Sequence, residues 1–490
     1  MPEPVSIASQ NIGNNRHSSI SAPRTANAPL ADPFLDFTRD LVKGKEEAIV
    51  SSWCRLLRQL KIENNLIAQK EHEIIPEISF DDLEAECEDL RDEIQKRGMV
   101  IVRGVLPEEK AFACKNDMDD CSRKSPTTQG TYVFNCAYHT AKLRMRSHPS
   151  ILKVQCHLMA FLWDTCPETE ISLTIPLASA GRACTDHRID DPLIDGESTE
   201  RWVAGAYRKR EIYENVFEGE WESYDPWDAS GRAEAVNNLY DGLGAPSMFK
   251  LWQGWLSMSY SGTGEGRILV NPLIQLTTAY LLLRPFFRPI NEIRGPGFLD
   301  EDNWIFTGEP DMTSELHGAA PGHSQELNDA LHPHLELHRT MVHLPPLNPG
   351  DFVAWHCDSI HALDKTLYDN EDCRLLSIPV CPVTKTNAIC LAGQRAALRG
   401  NQSSDLSGAE EGAEKTDQPS EEVLRSWTDD VGKQAFGLEG LVTEDIALPG
   451  ERRVIEKANR ILGFQCKYKS RRARGHMSPS RMDILDRFRL

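Results

Sequence analysis

The segment from Pro349 to His361 is the part of the sequence whose residue types and spacing most directly suggest chemistry. It reads PGDFVAWHCDSIH, so a Pro-Gly-Asp turn leads into an apolar run that is followed by two histidines, His356 and His361. Imidazole is the commonest metal ligand in proteins and also acts as a general acid or base. Taken singly, each histidine is more often structural, so the interpretation depends on a further group nearby.

A positively charged residue follows this segment along the chain. Arg374 stands thirteen residues after His361 and precedes the apolar run LLSIPV. If that run pairs as a strand with Phe352–Trp355, the guanidinium enters the same interior, where its planar fork can hold a carboxylate through two hydrogen bonds. A metal-bound keto acid needs an anchor of this kind, so Arg374 is a candidate for that role.

The pattern of short apolar runs around these residues predicts the fold. Between about residues 170 and 390, such runs are separated by Gly, Pro and Asp, which is typical of an antiparallel barrel or jelly roll. Apolar residues on either side recur at helical spacing. The sequence therefore predicts an α+β protein with a jelly-roll core and flanking helices. The runs are Ile171–Leu177, Ser247–Tyr260, Arg267–Val270, Thr340–Leu344, Phe352–Trp355 and Leu375–Cys381.

The N-terminal part is predicted to contain helices and one strand. Residues 49–60 carry an apolar stripe at helical spacing. Residues 79–98 begin with a pattern that resembles a capping box, carry a second stripe and end with Arg-Gly, a helix stop signal. The β-branched run at 99–102 favours a buried strand, and Pro-Glu-Glu at 107–109 opens another helix.

Composition and pattern divide the chain into five parts. The acidic, polar segment after the core is typical of an exposed linker or insertion. Because the whole chain is acidic, the basic cluster at 467–474 is interpreted as a solvated or self-docking tail. The predicted parts are a disordered tail (1–32), a helical part packed on the barrel (33–165), the β core (166–398), the acidic linker or insertion (399–424) and a helical extension with a basic tail (425–490).

Charge and hydropathy exclude several classes of partner. Lys and Arg number 54 against 74 Asp and Glu, and a net charge of −20 repels nucleic acids and anionic membranes. The longest apolar stretch, Leu273–Phe287, is shorter than the roughly 20 residues that cross a bilayer. The first 30 residues lack the apolar segment of a secretory signal. We expect a cytoplasmic protein with reduced cysteines and a small-molecule substrate.

Several separate stretches together resemble a known family. The region from about 35 to 400 is similar to the YbiU-like family, whose function is largely unassigned. The segment PGDFVAWHCDSIH with Arg374 resembles the phytanoyl-CoA-hydroxylase-like iron(II)/2-oxoglutarate dioxygenases. This resemblance implies a double-stranded β-helix core, iron(II) and 2-oxoglutarate as cofactors, and hydroxylation or desaturation of a small organic molecule. The stretches include SSWCRLLRQL, KRGMVIVRGV, IDGESTERW, FEGEWESYDPWDA, LWQGWLSMS and WHCDSIH.

The resemblance also implies a ligand set of two histidines and one carboxylate on one side of the iron. The first two ligands come as H-x-D before ERW, and this chain reads LIDGESTERW there. The carboxylate matches as Asp195 and the last histidine as His361, whereas Leu193 occupies the position of the first histidine. Since leucine has no lone pair, either His187, six residues upstream, completes the set or iron is held weakly or not at all.

Two further polar residues are candidates for binding the keto acid. Gln253 and Ser257 share one strand face with Trp255 because their spacing is even. They either bind the keto acid or face solvent. The pair His332 and His334 is interpreted as structural, since the proline between them constrains the backbone and nothing nearby completes a ligand set.

The sequence leaves three hypotheses open. The first is an iron(II)/2-oxoglutarate-dependent oxygenase. The second is a dioxygenase fold without metal, which binds a metabolite or serves as a scaffold because Leu193 has removed a ligand. The third keeps the barrel with another metal and performs non-redox chemistry. The position of Leu193 is the feature that separates them.

Overall fold

The structure, a computed structural model, describes most of the chain between Asp32 and Phe464. The predicted disordered tail lies outside the described residues except for Asp32, as do most of the acidic linker and the basic cluster. The described residues are 32–124, 139–179, 191–194, 196, 198–202, 212–233, 248–262, 268–309, 311–321, 323–364, 375–399, 418–442 and 448–464.

Helices dominate the two ends of the described chain and surround the sheets. The α-helices are α1 (Asp32–Val42), α2 (Glu46–Lys70), α3 (Leu83–Asp89), α4 (Arg91–Arg97), α5 (Glu108–Lys124), α6 (Thr140–Arg146), α7 (Pro149–Met159), α8 (Glu214–Phe217), α9 (Gln275–Leu283), α10 (Leu337–Thr340), α11 (Lys385–Leu398), α12 (Glu421–Ser426), α13 (Asp430–Ala435) and α14 (Pro449–Ile461). None of these helices combines the length and the hydropathy needed to span a membrane.

The strands are short and concentrate in the middle of the chain, where the predicted apolar runs account for some of them but not for those at 287–289, 304–306 and 361–363. They are β1 (Glu77–Ser79), β2 (Met99–Arg103), β3 (Ser172–Leu177), β4 (Trp252–Ser257), β5 (Ile268–Val270), β6 (Phe287–Pro289), β7 (Trp304–Phe306), β8 (Val342–His343), β9 (Phe352–His356), β10 (His361–Leu363), β11 (Leu375–Ser377) and β12 (Cys381–Val383).

Two sheets form the centre of the molecule. The main sheet has the order β1-β2-β9-β4-β11, and the second sheet has the order β10-β5-β8. Strands β1 and β2 pair in parallel, whereas the other neighbours in both sheets are antiparallel. Two-stranded pairs, β3 with β12 and β6 with β7, complete the described sheets.

Both faces of the main sheet are buried, each in its own hydrophobic core. The face that we call the inner face packs with β5 and with helices α2 and α9. The opposite face packs against α7. Since side chains alternate along a strand, neighbouring residues enter different cores. The inner face carries Met99, Ile101, Val353 and Trp355, and the opposite face carries Val100, Val102, Phe352 and Ala354.

The predicted α+β class is confirmed, and the finer architecture stays a prediction. The described strands form several small sheets, and they do not close into a barrel. The helix predicted from residues 49–60 is α2, and the run at 99–102 is β2, as expected. The boundaries of the five predicted parts also stay predictions.

The prediction of one continuous helix before Gly98 is wrong. The chain forms α3 and α4 instead, with Leu90 between them at φ −101° and ψ 13°. Asp82 precedes α3 without a side-chain cap, and the Glu86 carboxylate accepts from the Ser79 N–H. Helix α3 packs on β1 and α7 whereas α4 packs on β2, so the apolar stripe continues while the axis breaks. Gly98 ends α4 at φ +67°, as the stop signal predicted.

Gly350, in the Pro-Gly-Asp turn before β9, offers a test of this part of the fold. Its φ is +96°, and a Cβ would stand 2.0 Å from the Leu106 carbonyl oxygen. We expect Gly350→Ala to lower the free energy of unfolding by roughly 3 kcal/mol. The cost of a left-handed conformation for a residue with a Cβ adds to the cost of the clash with the backbone. Gly104 has φ +70° and open space at its Cβ, so Gly104→Ala is the control and should cost about 1 kcal/mol. Equal losses in urea denaturation would contradict this assignment.

Candidate functional site

His361 lies at the start of β10, on the second sheet. It pairs with Val270 of β5 in register and is 9 % exposed. Its Nδ1 lies 3.1 Å from the carbonyl oxygen of Ser359, and its ring is tilted against that of Trp355 at a centroid distance of 5.3 Å. The imidazole therefore sits between the two sheets with one nitrogen held by the backbone.

Leu193 is the direct neighbour of His361. The two residues exchange both backbone hydrogen bonds, Leu193 N to His361 O at 2.9 Å and His361 N to Leu193 O at 3.0 Å. Directly opposed residues in an antiparallel pair project their side chains to the same side. The position of the first expected ligand is therefore beside the last one, and a leucine that cannot ligate a metal occupies it.

Three of the predicted site residues lie outside the described residues: Asp195, His187 and Arg374. The strand that follows Arg374 is described, and its partner differs from the prediction. β11 pairs with β4, not with β9, because β4 already occupies the edge of β9. The apolar run alone could not show which of two strands it would join.

Gln253 and Ser257 both lie on β4 and on the inner face. They are 6 % and 2 % exposed, so the alternative that they face solvent is excluded. The Ser257 hydroxyl donates to the Ser259 carbonyl at 2.9 Å. The Gln253 side chain, opposite Trp355 in the sheet register, has no hydrogen bond to any described residue. The buried indole N–H groups of Trp255 and Trp355 on the same face also lack a partner among the described residues. Gln253 and these two donors are therefore the polar groups on this face that a ligand would satisfy.

Two tryptophans extend the inner face beside Gln253. The rings of Trp255 and Trp355 are stacked, with centroids 6.1 Å apart and planes 14° apart. Trp355 is 1 % exposed, whereas Trp255 stays partly accessible although it faces inward. The inner face thus presents a flat aromatic surface close to His361.

A buried ion pair supports the turn between β9 and β10. The Arg232 guanidinium contacts the Asp358 carboxylate at 2.5 Å and also donates to the Tyr224 hydroxyl at 3.2 Å. Burial works against the charged Asp358, but Arg232 outweighs it and holds the pKa of this carboxyl below its usual range. This pair ties the segment 212–233 to the turn that leads to His361. Sequence reasoning missed it because 126 residues separate the partners.

His356, Cys357 and Asp358 have ligand atoms within 4.8 Å of one another, close enough for a metal ion. The position of Arg232 opposes a cation there, since its guanidinium already neutralises Asp358. Burial and that same positive charge lower the pKa of His356 to about 3. We therefore interpret this trio as a structural cluster.

His332 and His334 are packed into the helical side of the first core. His332 is 0 % and His334 is 4 % exposed, and the ring of His334 lies 4.6 Å from that of Trp304. Burial, followed by the charge of Arg284, lowers the pKa of each histidine to about 3. Both surroundings are those of neutral structural histidines.

A small cavity lies away from these groups, between α6 and α11. Arg146 and Arg395 line it together with Phe436. The Arg395 guanidinium donates to the carbonyl oxygens of Gly437 and Leu462. Since this charge caps backbone carbonyls, the cavity offers no comparable set of groups for chemistry.

Comparisons with known proteins support the resemblance drawn from the sequence. The uncharacterized protein YbiU of Escherichia coli (strain K12) is 25 % identical over 390 residues, which cover 74 % of this chain and 84 % of YbiU. The structure of GlcNAc Inducible Gene 2, GIG2, from Candida albicans matches with a TM-score of 0.77 and 24 % identity, over 89 % of this chain and 96 % of that one. A "Putative Oxidoreductase" from Salmonella typhimurium LT2 matches with a TM-score of 0.61 and 23 % identity, over 83 % of this chain and 96 % of its own.

These comparisons confirm the YbiU-like part of the sequence prediction. None of them links the chain to the phytanoyl-CoA-hydroxylase-like dioxygenases, so that link stays a prediction. The family model described as Gig2-like matches residues 28–438. Because this match spans most of the sequence, the chain belongs to the Gig2-like family.

Proposed function

We propose that this chain is an iron(II)/2-oxoglutarate-dependent oxygenase that hydroxylates or desaturates a small organic molecule in the cytoplasm. The observation that carries the proposal is the hydrogen-bonded pair of Leu193 and His361. In a facial ligand set, the first and last ligands must lie on neighbouring backbone segments to reach one metal ion. The pair brings those two positions together, although they are far apart in sequence.

The order of the strands supports the corresponding fold, a double-stranded β-helix. From β4 onward the chain alternates between the two central sheets: β4 and β9 lie in the main sheet, β5 and β8 in the second, then β10 in the second and β11 in the main sheet. Such alternation is typical of double-sheet jelly rolls. The name of the Salmonella relative also favours oxidoreductase chemistry for this fold.

Leu193 does not fit a site with two histidines in the usual positions. The proposal therefore assigns iron(II) to Asp195, His361 and His187, and the distal carboxylate of 2-oxoglutarate to Arg374. Iron(II) and 2-oxoglutarate supply the activation of molecular oxygen when they are bound. The chain itself holds the His361 imidazole through the Ser359 carbonyl oxygen, and the Trp355 ring of the inner face packs against that imidazole.

Iron binding gives the decisive test, with Leu193→His as the informative change. Removing a residue that only supports a metal ligand lowers metal affinity about 10- to 100-fold. Because Leu193→His adds a ligand itself, we expect this variant to bind iron(II) at least roughly tenfold more tightly than the unmodified protein. The measurement is an anaerobic titration of metal-free protein with iron(II) and 2-oxoglutarate, followed by the visible charge-transfer band of a chelated keto acid. His361→Ala should abolish the band, and Arg374→Ala should weaken it.

The exposed His338, which pairs with Asp329, provides the control, because His338→Ala should leave the band unchanged. A band in the unmodified protein that His187→Ala removes would support the proposed ligand set. If neither the unmodified protein nor Leu193→His shows a band, the oxygenase proposal is wrong.

A second function, binding of a metabolite without metal, is favoured by the same leucine. Its side chain takes the place of a ligand beside His361, while the buried Gln253 amide remains available. A band that occurs in Leu193→His alone would support this second function over the first.

A further inference from the structure

The inner face carries polar groups that make no hydrogen bond within the described part of the chain, among them the buried indole N–H groups of Trp255 and Trp355. Ser257 donates within its own strand region, but Gln253, at 6 % exposed, makes no hydrogen bond within the described part of the chain. A primary amide offers two donors and an acceptor. Its complement is a group that both accepts and donates, such as a carboxamide or a protonated carboxyl.

Trp255, two residues further along β4, provides a flat apolar surface next to this amide. Its inward-facing ring is partly accessible and is backed by the stacked ring of Trp355. Ser377, directly opposite Trp255 in the register, is also partly accessible. The partly accessible side chains of the inner face therefore lie next to each other on β4 and β11. Aromatic surfaces of this kind favour planar rings.

The proximity of His361 places this surface at the candidate site. The ring of Trp355 contacts both the Trp255 ring and the imidazole of His361. A ring stacked on Trp255 with its polar group on Gln253 would thus lie within the same interior as His361. By contrast, Trp53 is also stacked on aromatic rings, but it is 0 % exposed, so a ligand has no access to it.

We propose that Gln253 and Trp255, here called the Gln253–Trp255 wall, bind the substrate, and that this substrate is a planar ring compound bearing a carboxamide or carboxyl group. The inference rests on the proposed function for the reaction that follows, whereas binding at the wall requires no iron. Gln253 recognises the polar group, and Trp255 selects a flat ring.

The test uses metal-free, full-length protein and two matched probes, 2-naphthamide and its saturated counterpart decahydro-2-naphthamide. Binding is measured by calorimetry and by ligand-observed saturation-transfer NMR. We expect the planar probe to bind about five- to tenfold more tightly than the saturated one. Trp255→Leu should remove this preference, and Gln253→Met should weaken binding of the planar probe about five- to tenfold.

Two further variants separate recognition from a general loss of folding. Gln253→Glu should retain 2-naphthamide but reject 2-naphthoate, because two carboxylates repel each other. Trp427→Leu, in the C-terminal helical part, should behave as the unmodified protein does. Equal affinities of the two naphthamides, or no effect of Gln253→Met, would overturn the inference. The two proposals can fail separately. If the planar probe is preferred but no iron-dependent band is seen, binding at the Gln253–Trp255 wall is supported and the oxygenase proposal is rejected.

Discussion

Arg232→Met should lower the free energy of unfolding by about 3–5 kcal/mol, the typical loss when one partner of a buried ion pair is removed. The Arg232 and Asp358 side chains are 1 % and 5 % exposed. Without the guanidinium, the Asp358 carboxylate would be left uncompensated in the interior. Urea denaturation followed by circular dichroism measures the loss. Because Asp358 lies in the turn before His361, we also expect weaker iron binding in Leu193→His when Arg232→Met is added.

An exposed ion pair supplies the control for this experiment. Arg58 pairs with Glu301, and the Arg58 side chain is 63 % exposed, so Arg58→Met should cost less than about 1 kcal/mol. Adding Asp358→Asn to Arg232→Met should recover part of the loss, since it removes the uncompensated charge. A similar loss in Arg58→Met and Arg232→Met would contradict the role given to the buried pair.

The protein should lose much of its stability between pH 6.5 and pH 5. His332, His334 and His356 are buried, and burial together with neighbouring arginine charge lowers the pKa of each to about 3. An unfolded histidine has a pKa near 6.5. Below this pH the three histidines are protonated in the unfolded chain but stay neutral in the folded chain. The free energy of unfolding is therefore highest above about pH 6.5 and decreases as the pH drops toward 3.

The expected size follows from about 1.4 kcal/mol per pH unit for each histidine. Over 1.5 pH units this gives roughly 2 kcal/mol for each residue and roughly 6 kcal/mol for three, a large share of a typical total stability. Urea denaturation at pH 7 and pH 5 measures the difference. His332→Asn should reduce the number of protons taken up on unfolding by one, so the free energy of unfolding should change less between pH 7 and pH 5. We expect this even if the variant is less stable at pH 7. A stability that is unchanged at pH 5 would show that these histidines are protonated in the folded protein.

The spacing of apolar residues along the sequence predicted several of the helices and strands. The stripe at 49–60 is on α2, and the β-branched run at 99–102 is β2. The short apolar runs in the middle of the chain correspond to β3, β4, β5, β8 and β9. These predictions depend only on residues within a few positions of one another, so they required no knowledge of the rest of the chain.

Predictions that depended on distant partners were less successful. The break at Leu90 was not visible, because the apolar spacing continues through it while α3 and α4 pack on different neighbours. The pairing of β11 was assigned to β9 instead of β4. The same limit explains why the pair of Arg232 and Asp358 was missed, since neither residue has a sequence neighbour that indicates its partner.

The sequence by itself determined the mixed α+β class, the acidic charge, the family and the presence of a leucine where a ligand is expected. Only the tertiary structure decided that Leu193 lies directly beside His361. It also decided that Ser257 donates to a nearby carbonyl, while the buried Gln253 makes no hydrogen bond to a described residue. The physical reason is that composition and periodicity are local properties. Whether a buried polar group finds a partner depends on residues that come together only when the sheets form.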